Sequence, residues 1–302
     1  NNRGNAGKVE RKNLDFEGKL IDRQVVENTS FDKRGNVLTQ TTKNYDDKGA
    51  LIDTVEVENK DVNSRGNPGL TLRKTYDKSG KLLDTVNTEN KKFDSRGNVL
   101  EQTVQTYDDK GALLSKSAVV NSGFDSRGNV GKSVRTSYDP DGNVTDIVET
   151  MNTKFDSRGN VLSQIIRTSD ADGKLIDRVE IGNGSFDSRG NAGKITRKTF
   201  DTDGKLVDTQ VTTNKKFDSR GNVLDQTVEA FDEKGGLIDR VETKNSGFDS
   251  RGNPALTVRE VFGKDGKLID RQEIETQEYN SRGNVLSQTI KSFDKDGKLT
   301  NI

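Results

Sequence analysis

The stretch Phe93-Asp94-Ser95-Arg96-Gly97-Asn98-Val99 is the most informative part of the sequence, because the same pattern returns along the whole chain. Its glycine belongs to a series of Arg-Gly-Asn triplets with a 31-residue period, and a second glycine stands between successive triplets, as Gly111 does between Gly97 and Gly128. The chain is therefore a tandem array of ten 31-residue units with two turns each. The two glycine series are Gly4, Gly35, Gly66, Gly97, Gly128, Gly159, Gly190, Gly221, Gly252 and Gly283, and Gly18, Gly49, Gly80, Gly111, Gly142, Gly173, Gly204, Gly235, Gly266 and Gly297.

Both turns share a form in which an aromatic residue is followed by what is usually Asp, then two polar residues and Gly, as in Tyr107-Asp108-Asp109-Lys110-Gly111. An Asp at the first position of a type I turn accepts nearby backbone N–H groups, and Gly tolerates a positive φ. Pro140 fits this geometry, because its ring fixes φ in the range that the second position of the turn already requires. The pattern predicts three-residue hairpin loops closed by a glycine bulge.

The arms between the turns are rich in Thr, Val, Ile and Leu, as in Val161-Leu162-Ser163-Gln164-Ile165-Ile166, which is typical of strands. If consecutive arms pair, Phe93 lies opposite Val99 and Tyr107 lies opposite Leu113. The two arms of a unit are unequal, so the longer one needs a bulge or corner, and like strands shift by roughly three residues per unit, about 10 Å. We therefore expect an all-β, elongated tandem-repeat array of antiparallel β-hairpins that coils into a spiral ribbon or tube. The alternative is a β-solenoid with one 31-residue unit per coil.

Alternate units differ just after the triplet, where Pro68-Gly69-Leu70 contrasts with Val37-Leu38, so the larger period is two units. A glycine inside a strand permits a bend, and we interpret this alternation as packing. We treat residues 1–302 as a single array without separate domains, its last unit incomplete. Because both ends fall inside a unit, we expect a piece of a longer chain or a subunit that continues into its neighbour.

Composition restricts the function. Hydrophobic residues make up 28% and charged residues 32% of the chain, which predicts a thin sheet with much of each face in water. Lys and Arg total 49, as do Asp and Glu, which argues against nucleic acid or an anionic membrane as a partner. No apolar stretch is long enough to predict membrane insertion.

The chain contains no His and no Cys, which excludes histidine relays, Ser-His-Asp triads and the common zinc sites. Carboxylates recur in every turn, whereas a catalytic pair is singular and sheltered. We therefore expect no enzyme and assign no catalytic, cofactor-binding or metal-binding residue.

Two features keep a binding role open. Asp170-Ala171-Asp172-Gly173, Asp201-Thr202-Asp203-Gly204 and Asp294-Lys295-Asp296-Gly297 are similar to the start of calcium loops, although equivalent turns carry Lys at Lys48 and Lys110. The row of triplet arginines could bind a repetitive anionic ligand by avidity. Ordinary turn geometry explains both features as well.

Tyr138-Asp139-Pro140-Asp141-Gly142 and Tyr76-Asp77-Lys78-Ser79-Gly80 resemble the tyrosine-aspartate (YD) repeats of bacterial Rhs-type surface and toxin-shell proteins. That resemblance implies an extracellular or cell-surface antiparallel β array that spirals. We hypothesise a structural segment of a fibre, serving as filament, stalk or adhesin, whose partner is another copy of itself, joined end to end or laterally. The alternatives are a multivalent carbohydrate- or calcium-binding module and the shell of a toxin.

Overall fold

The structure is a computed structural model that describes residues 6–14, 18–249, 251–279 and 283–302. Every regular element in these ranges is a β-strand, which confirms the all-β class. The strands are β1 (Lys8–Leu14), β2 (Leu20–Phe31), β3 (Val37–Tyr45), β4 (Leu51–Lys60), β5 (Leu70–Asp77), β6 (Leu82–Phe93), β7 (Val99–Tyr107), β8 (Leu113–Ser122), β9 (Lys132–Tyr138), β10 (Val144–Phe155), β11 (Val161–Ser169), β12 (Leu175–Phe186), β13 (Ala192–Phe200), β14 (Leu206–Phe217), β15 (Val223–Phe231), β16 (Leu237–Ser246), β17 (Leu256–Gly263), β18 (Leu268–Tyr279), β19 (Val285–Phe293) and β20 (Leu299–Asn301).

The chain divides into two units, Asn1–Val148 and Glu149–Ile302, and each has the same internal plan. In the first, β1 to β9 pair in chain order, and in the second β11 to β20 do so, every pair antiparallel. The antiparallel hairpin prediction is therefore confirmed. The solenoid alternative is wrong, because each arm reverses at a tight turn and pairs with its own chain neighbours.

The predicted cross-strand pairs are present, since Phe93 lies opposite Val99 and Tyr107 opposite Leu113. The stagger is smaller than predicted. Thr85, the equivalent of Thr54 one repeat later, lies opposite Lys74 on β5, and Lys74 lies opposite Glu56 on β4. Like positions are therefore displaced by two residues along β4 per repeat, about 7 Å, because the register skips one residue between Leu82 and Asp84.

The longer arms contain the predicted irregularity, in two alternating forms. In one set of hairpins the register skips a residue, such as Lys91 between Asn90 and Lys92. In the other set a residue near the end of the arm has a left-handed φ, at Asp61, Gly123, Ser185 and Gly247. Each of these four positions is separated from the next by two repeats, which gives the longer sequence period a backbone origin.

A small residue faces each left-handed position across the hairpin. A Cβ at Gly131 would lie 2.5 Å from the backbone oxygen of Gly123, and one at Gly193 would lie 2.6 Å from that of Ser185. Where the facing residue is Ala255, the left-handed position is Gly247. Packing across the hairpin is therefore the reason for the alternating sequence after the triplet.

Neither unit contains a thick core among the described residues. Only Val25 and Val179 are buried hydrophobic residues there, at 7% and 6% exposure, and no side chain is fully buried. Within each unit the described strands contact only their neighbours in the chain, so no second layer covers the sheet. The prediction of a thin sheet with solvated faces is confirmed.

Candidate functional site: the two rows of hairpin turns

The chemistry that repeats most regularly lies in two rows of turns. The triplet row contains the Arg-Gly-Asn turns, and the acidic row contains the turns of the second glycine series. In both, the first residue closes the loop: at Asp94 the backbone N–H donates to Asn98 O (2.9 Å) and the carbonyl accepts from Gly97 N (3.1 Å). Gly97 has a φ of +93° and Gly111 one of +86°. These are the predicted three-residue loops with a glycine bulge.

The Asp carboxylate completes the turn. Asp94 Oδ1 accepts backbone N–H groups of Arg96 (2.8 Å) and Asn98 (2.9 Å), and Asp108 Oδ1 does the same for Lys110 and Ala112. In the triplet row the second oxygen is used as well, because Asn98 Nδ2 donates to Asp94 Oδ2 at 2.9 Å. The carboxylates are therefore acceptors built into the loops.

Hydrogen bonding shifts the titration of the triplet-row carboxylates. The side-chain hydrogen bond from Asn129, followed by its backbone N–H, holds the pKa of Asp125 below its ordinary value. Asp187 has its pKa lowered by Asn191 in the same way. Both groups therefore stay ionised at neutral pH.

Neighbouring triplet turns are joined by arginine. Arg96 donates to Asp125 O at 2.6 Å, and Arg220 donates to Asp249 O at 2.7 Å and Phe248 O at 3.2 Å. These guanidinium groups are thus held by backbone carbonyls, which supports the structural interpretation of the triplet row over an anion-binding one. Arg34, Arg158 and Arg189 also donate to the backbone of the next turn.

The triplet Asn also packs on the next turn. A Cβ at Gly66 would lie 2.6 Å from Asn36 Oδ1, and one at Gly97 would lie 2.6 Å from Asn67 Nδ2. A Cβ at Gly80 or Gly111, in the acidic row, would meet no atom within 4 Å. A side chain at Gly66 or Gly97 would therefore displace the amide end of the neighbouring Asn as well as adopt a left-handed φ.

The acidic row is more open. Its turns are linked by occasional ion pairs between exposed side chains, Lys81 with Asp109 (3.3 Å) and Lys205 with Glu233 (2.6 Å). Exposed pairs of this kind contribute little to stability. The acidic row therefore presents mixed charges to solvent.

The turns that are similar to calcium loops use their first Asp in the same way. Asp170 Oδ1 accepts the N–H groups of Asp172 (3.0 Å) and Lys174 (2.9 Å), and Asp201 and Asp294 repeat the arrangement. Among the described residues, no three His, Cys, Asp or Glu side chains come together as a metal site. Turn closure accounts for these aspartates.

Sequence reasoning missed a second ladder, made by strand asparagines. Asn90 Nδ2 donates to Pro68 O (3.0 Å) while its Oδ1 accepts from Gln102 Nε2 (2.7 Å), so one side chain bridges three consecutive parts of the sheet. The recurrence of Asn with a 31-residue period from Asn28 to Asn245 was the available signal. Other residues of this asparagine ladder are Asn28, Asn59, Asn121, Asn152, Asn183, Asn214 and Asn245.

One concavity of about 310 Å³ lies on the sheet face of the first unit. It contains two carboxylates, but Glu58 pairs with Lys60 (3.1 Å) and exposed Glu56 accepts from the Tyr76 hydroxyl (3.1 Å). Burial raises the pKa of Tyr76, and the hydrogen bond to Glu56 raises it further. The cavity therefore provides no sheltered acid-base pair. Its lining is Thr29, Thr39, Gln40, Thr41, Glu56, Val57, Glu58, Leu72 and Lys74.

The comparisons with known proteins identify no family. No family model and no curated protein matches the sequence. Among solved structures, the chain is similar to "TcdB2-TccC3-Cdc42" (12% identity, TM-score 0.19), to "TcdB2-TccC3" (14%, 0.19), and to the Photorhabdus luminescens Tc holotoxin pore with the mutation TccC3-D651A (13%, 0.13). These matches cover 96%, 97% and 96% of this chain, which spans about a fifth of each of the others, 21%, 20% and 21%. TM-scores this low carry no argument about function. In the described part of the chain no helix could span a membrane.

Proposed function

We propose that this chain is a structural segment of an extracellular or cell-surface fibre, acting as filament, stalk or adhesin support. The observation that carries the proposal is the arginine link between triplet turns, in which a guanidinium on one turn donates to the backbone of the next. Each linked unit is thereby fastened to its neighbour at a turn as well as through the strand ladder.

The surface chemistry suits a mechanical role. Charges balance at 49 of each sign, so copies neither repel one another strongly nor attract polyanions. The absence of Cys and the single Met leave few groups open to oxidation. The repeated chemistry serves turn closure and strand bridging, which is what a durable array requires.

The wall of a toxin-enclosing shell is the second candidate. The Tyr138-Asp139-Pro140-Asp141-Gly142 motif favours it, because this form resembles the YD repeats of Rhs-type shells. Such a wall would need an effector domain to enclose.

Negative-stain electron microscopy of the purified chain across a concentration series, with and without a calcium chelator, tests the proposal. We expect rods or filaments of uniform width that survive chelation. Closed hollow particles would favour the toxin-shell function over the fibre. Filaments that dissolve on chelation would identify a calcium-dependent module instead.

A further inference from the structure

We propose that the second unit pairs laterally with a second copy of this chain through a row of exposed aliphatic side chains. The aliphatic row consists of Ile176, Val207, Ile238 and Ile269, whose exposures are 50%, 49%, 52% and 61%. This pairing goes beyond the fibre proposal and stands whether or not the chain builds a fibre.

The row is a product of the fold. Each member is the residue that the register skips just after an acidic-row turn, as Ile176 is skipped between Leu175 and Asp177. The bulge takes that residue out of the register with the preceding strand. Since members stand on alternate strands with a two-residue stagger, successive side chains lie roughly 12 Å apart.

The spacing favours a second copy as occupant. A partner with apolar groups at another interval would meet one or two members of the row, whereas a second copy carries the same interval. A twofold arrangement sets the row against itself in the opposite direction, which is the self-complementary contact of a symmetric dimer.

Charge favours the same occupant. Beside each aliphatic side chain, the turn carries both an acid and a lysine, such as exposed Asp172 and Lys174 before Ile176. The same holds for Asp203 and Lys205 before Val207. A row with both signs at each step can match its own reversed copy, while a partner of uniform charge would meet repulsion at each step.

The apolar area of the row determines how tightly two copies can bind. Four half-exposed aliphatic side chains supply on the order of 300 Å² of apolar surface, divided among four separate positions along the row. A standard interface buries about 800 Å² per partner, so the flanking turns must contribute the remainder. We therefore expect a weak, concentration-dependent dimer.

Sedimentation velocity of the full chain over a concentration series is the first test. Replacing the four aliphatic residues by Thr, the residue already present at the equivalent Thr145 and Thr300, should weaken self-association by roughly tenfold or more, since apolar burial drives it. The matched control replaces Leu14 and Val120, each exposed at 52% in the first unit and neither of them the residue skipped after an acidic-row turn, and should dimerise like the parent. A parent that stays monomeric, or a fourfold Thr variant that dimerises equally well, would overturn the proposal.

Directed cross-linking tests the alignment, because the chain has no cysteine of its own. In an antiparallel row of four, the twofold axis passes between the second and third members, so Val207 of one copy faces Ile238 of the other. A mixture of V207C and I238C chains oxidised with diamide should form the mixed disulfide faster than either homodimer. Cross-linking no faster than with S79C, on an exposed turn of the first unit, would contradict the pairing.

Discussion

The triplet row and the acidic row close their hairpins with the same loop and differ in what surrounds it. In the triplet row, Arg96 and Asn67 reach the neighbouring turn, so the same triplet is needed at each step. In the acidic row, Asp108 closes its own loop and the positions between it and Gly111 remain solvated. Local turn chemistry therefore determines the hairpin in both rows, whereas contact between neighbouring turns restricts the sequence of the triplet row alone.

The largest expected effect breaks the triplet row at glycine. Gly97→Ala should destabilise the chain by about 2–4 kcal/mol, because left-handed strain adds to a clash with Asn67. The matched acidic-row variant Gly111→Ala should cost only the strain, about 1–2 kcal/mol, since nothing lies within 4 Å. Urea unfolding of both variants measures the difference, and equal costs would show that the neighbouring turn yields.

A smaller difference is expected for the closing aspartates. Asp218 accepts two backbone N–H groups and Asn222 Nδ2, whereas Asp232 accepts two backbone groups. Asp218→Ala should therefore cost about 1–2 kcal/mol and Asp232→Ala about 1 kcal/mol. If thermal unfolding ranks them in the opposite order, the extra Asn bond does not stabilise the triplet turn.

The arginine link is expected to contribute less. Arg220→Ala removes the hydrogen bonds to Asp249 O and Phe248 O and should cost about 1 kcal/mol. Lys234→Ala, at the matching place in the acidic row, should stay within about 0.5 kcal/mol of the parent. Amide hydrogen exchange at the turn around Asp249 measures the effect of the same link locally. Faster exchange is expected in the Arg220 variant and not in the Lys234 variant. Unchanged exchange in the Arg220 variant would show that the arginine link does not stabilise the neighbouring turn.

Acid pH is expected to have the smallest effect on the stability of each turn. The lowered pKa of Asp125 and of Asp187 means that their stabilisation is complete above the unfolded value of 3.8 and is lost as pH falls through the folded value below it. Thermal unfolding midpoints, followed through the acid range, should therefore decline below pH 3.8. Asn129→Ala, which removes the donor, should move the decline of that turn to higher pH, and an unchanged profile would contradict the assigned cause.

Sequence reasoning could predict what is local. The Asp, the glycine spacing and the aromatic position before each turn are enough to place Phe93 opposite Val99, since these depend on a single hairpin. It could not predict that Arg96 would meet Asp125, because that contact depends on the stagger between successive hairpins. The role of Asn90 could be predicted only in part. Its recurrence is visible in the sequence, but a polar residue in a strand is expected to face solvent until its hydrogen-bond partners on both sides are known.

The alternating left-handed positions at Asp61, Gly123, Ser185 and Gly247 have a consequence for how such a gene can change length. Each stands in one kind of hairpin, and after Asp61, Ser185 and Gly247 the next hairpin is of the other kind. Duplication or deletion of a single unit would place two hairpins of the same kind side by side, whereas a slip of two units leaves every neighbour unchanged. An array of this design lengthens and shortens by pairs of units.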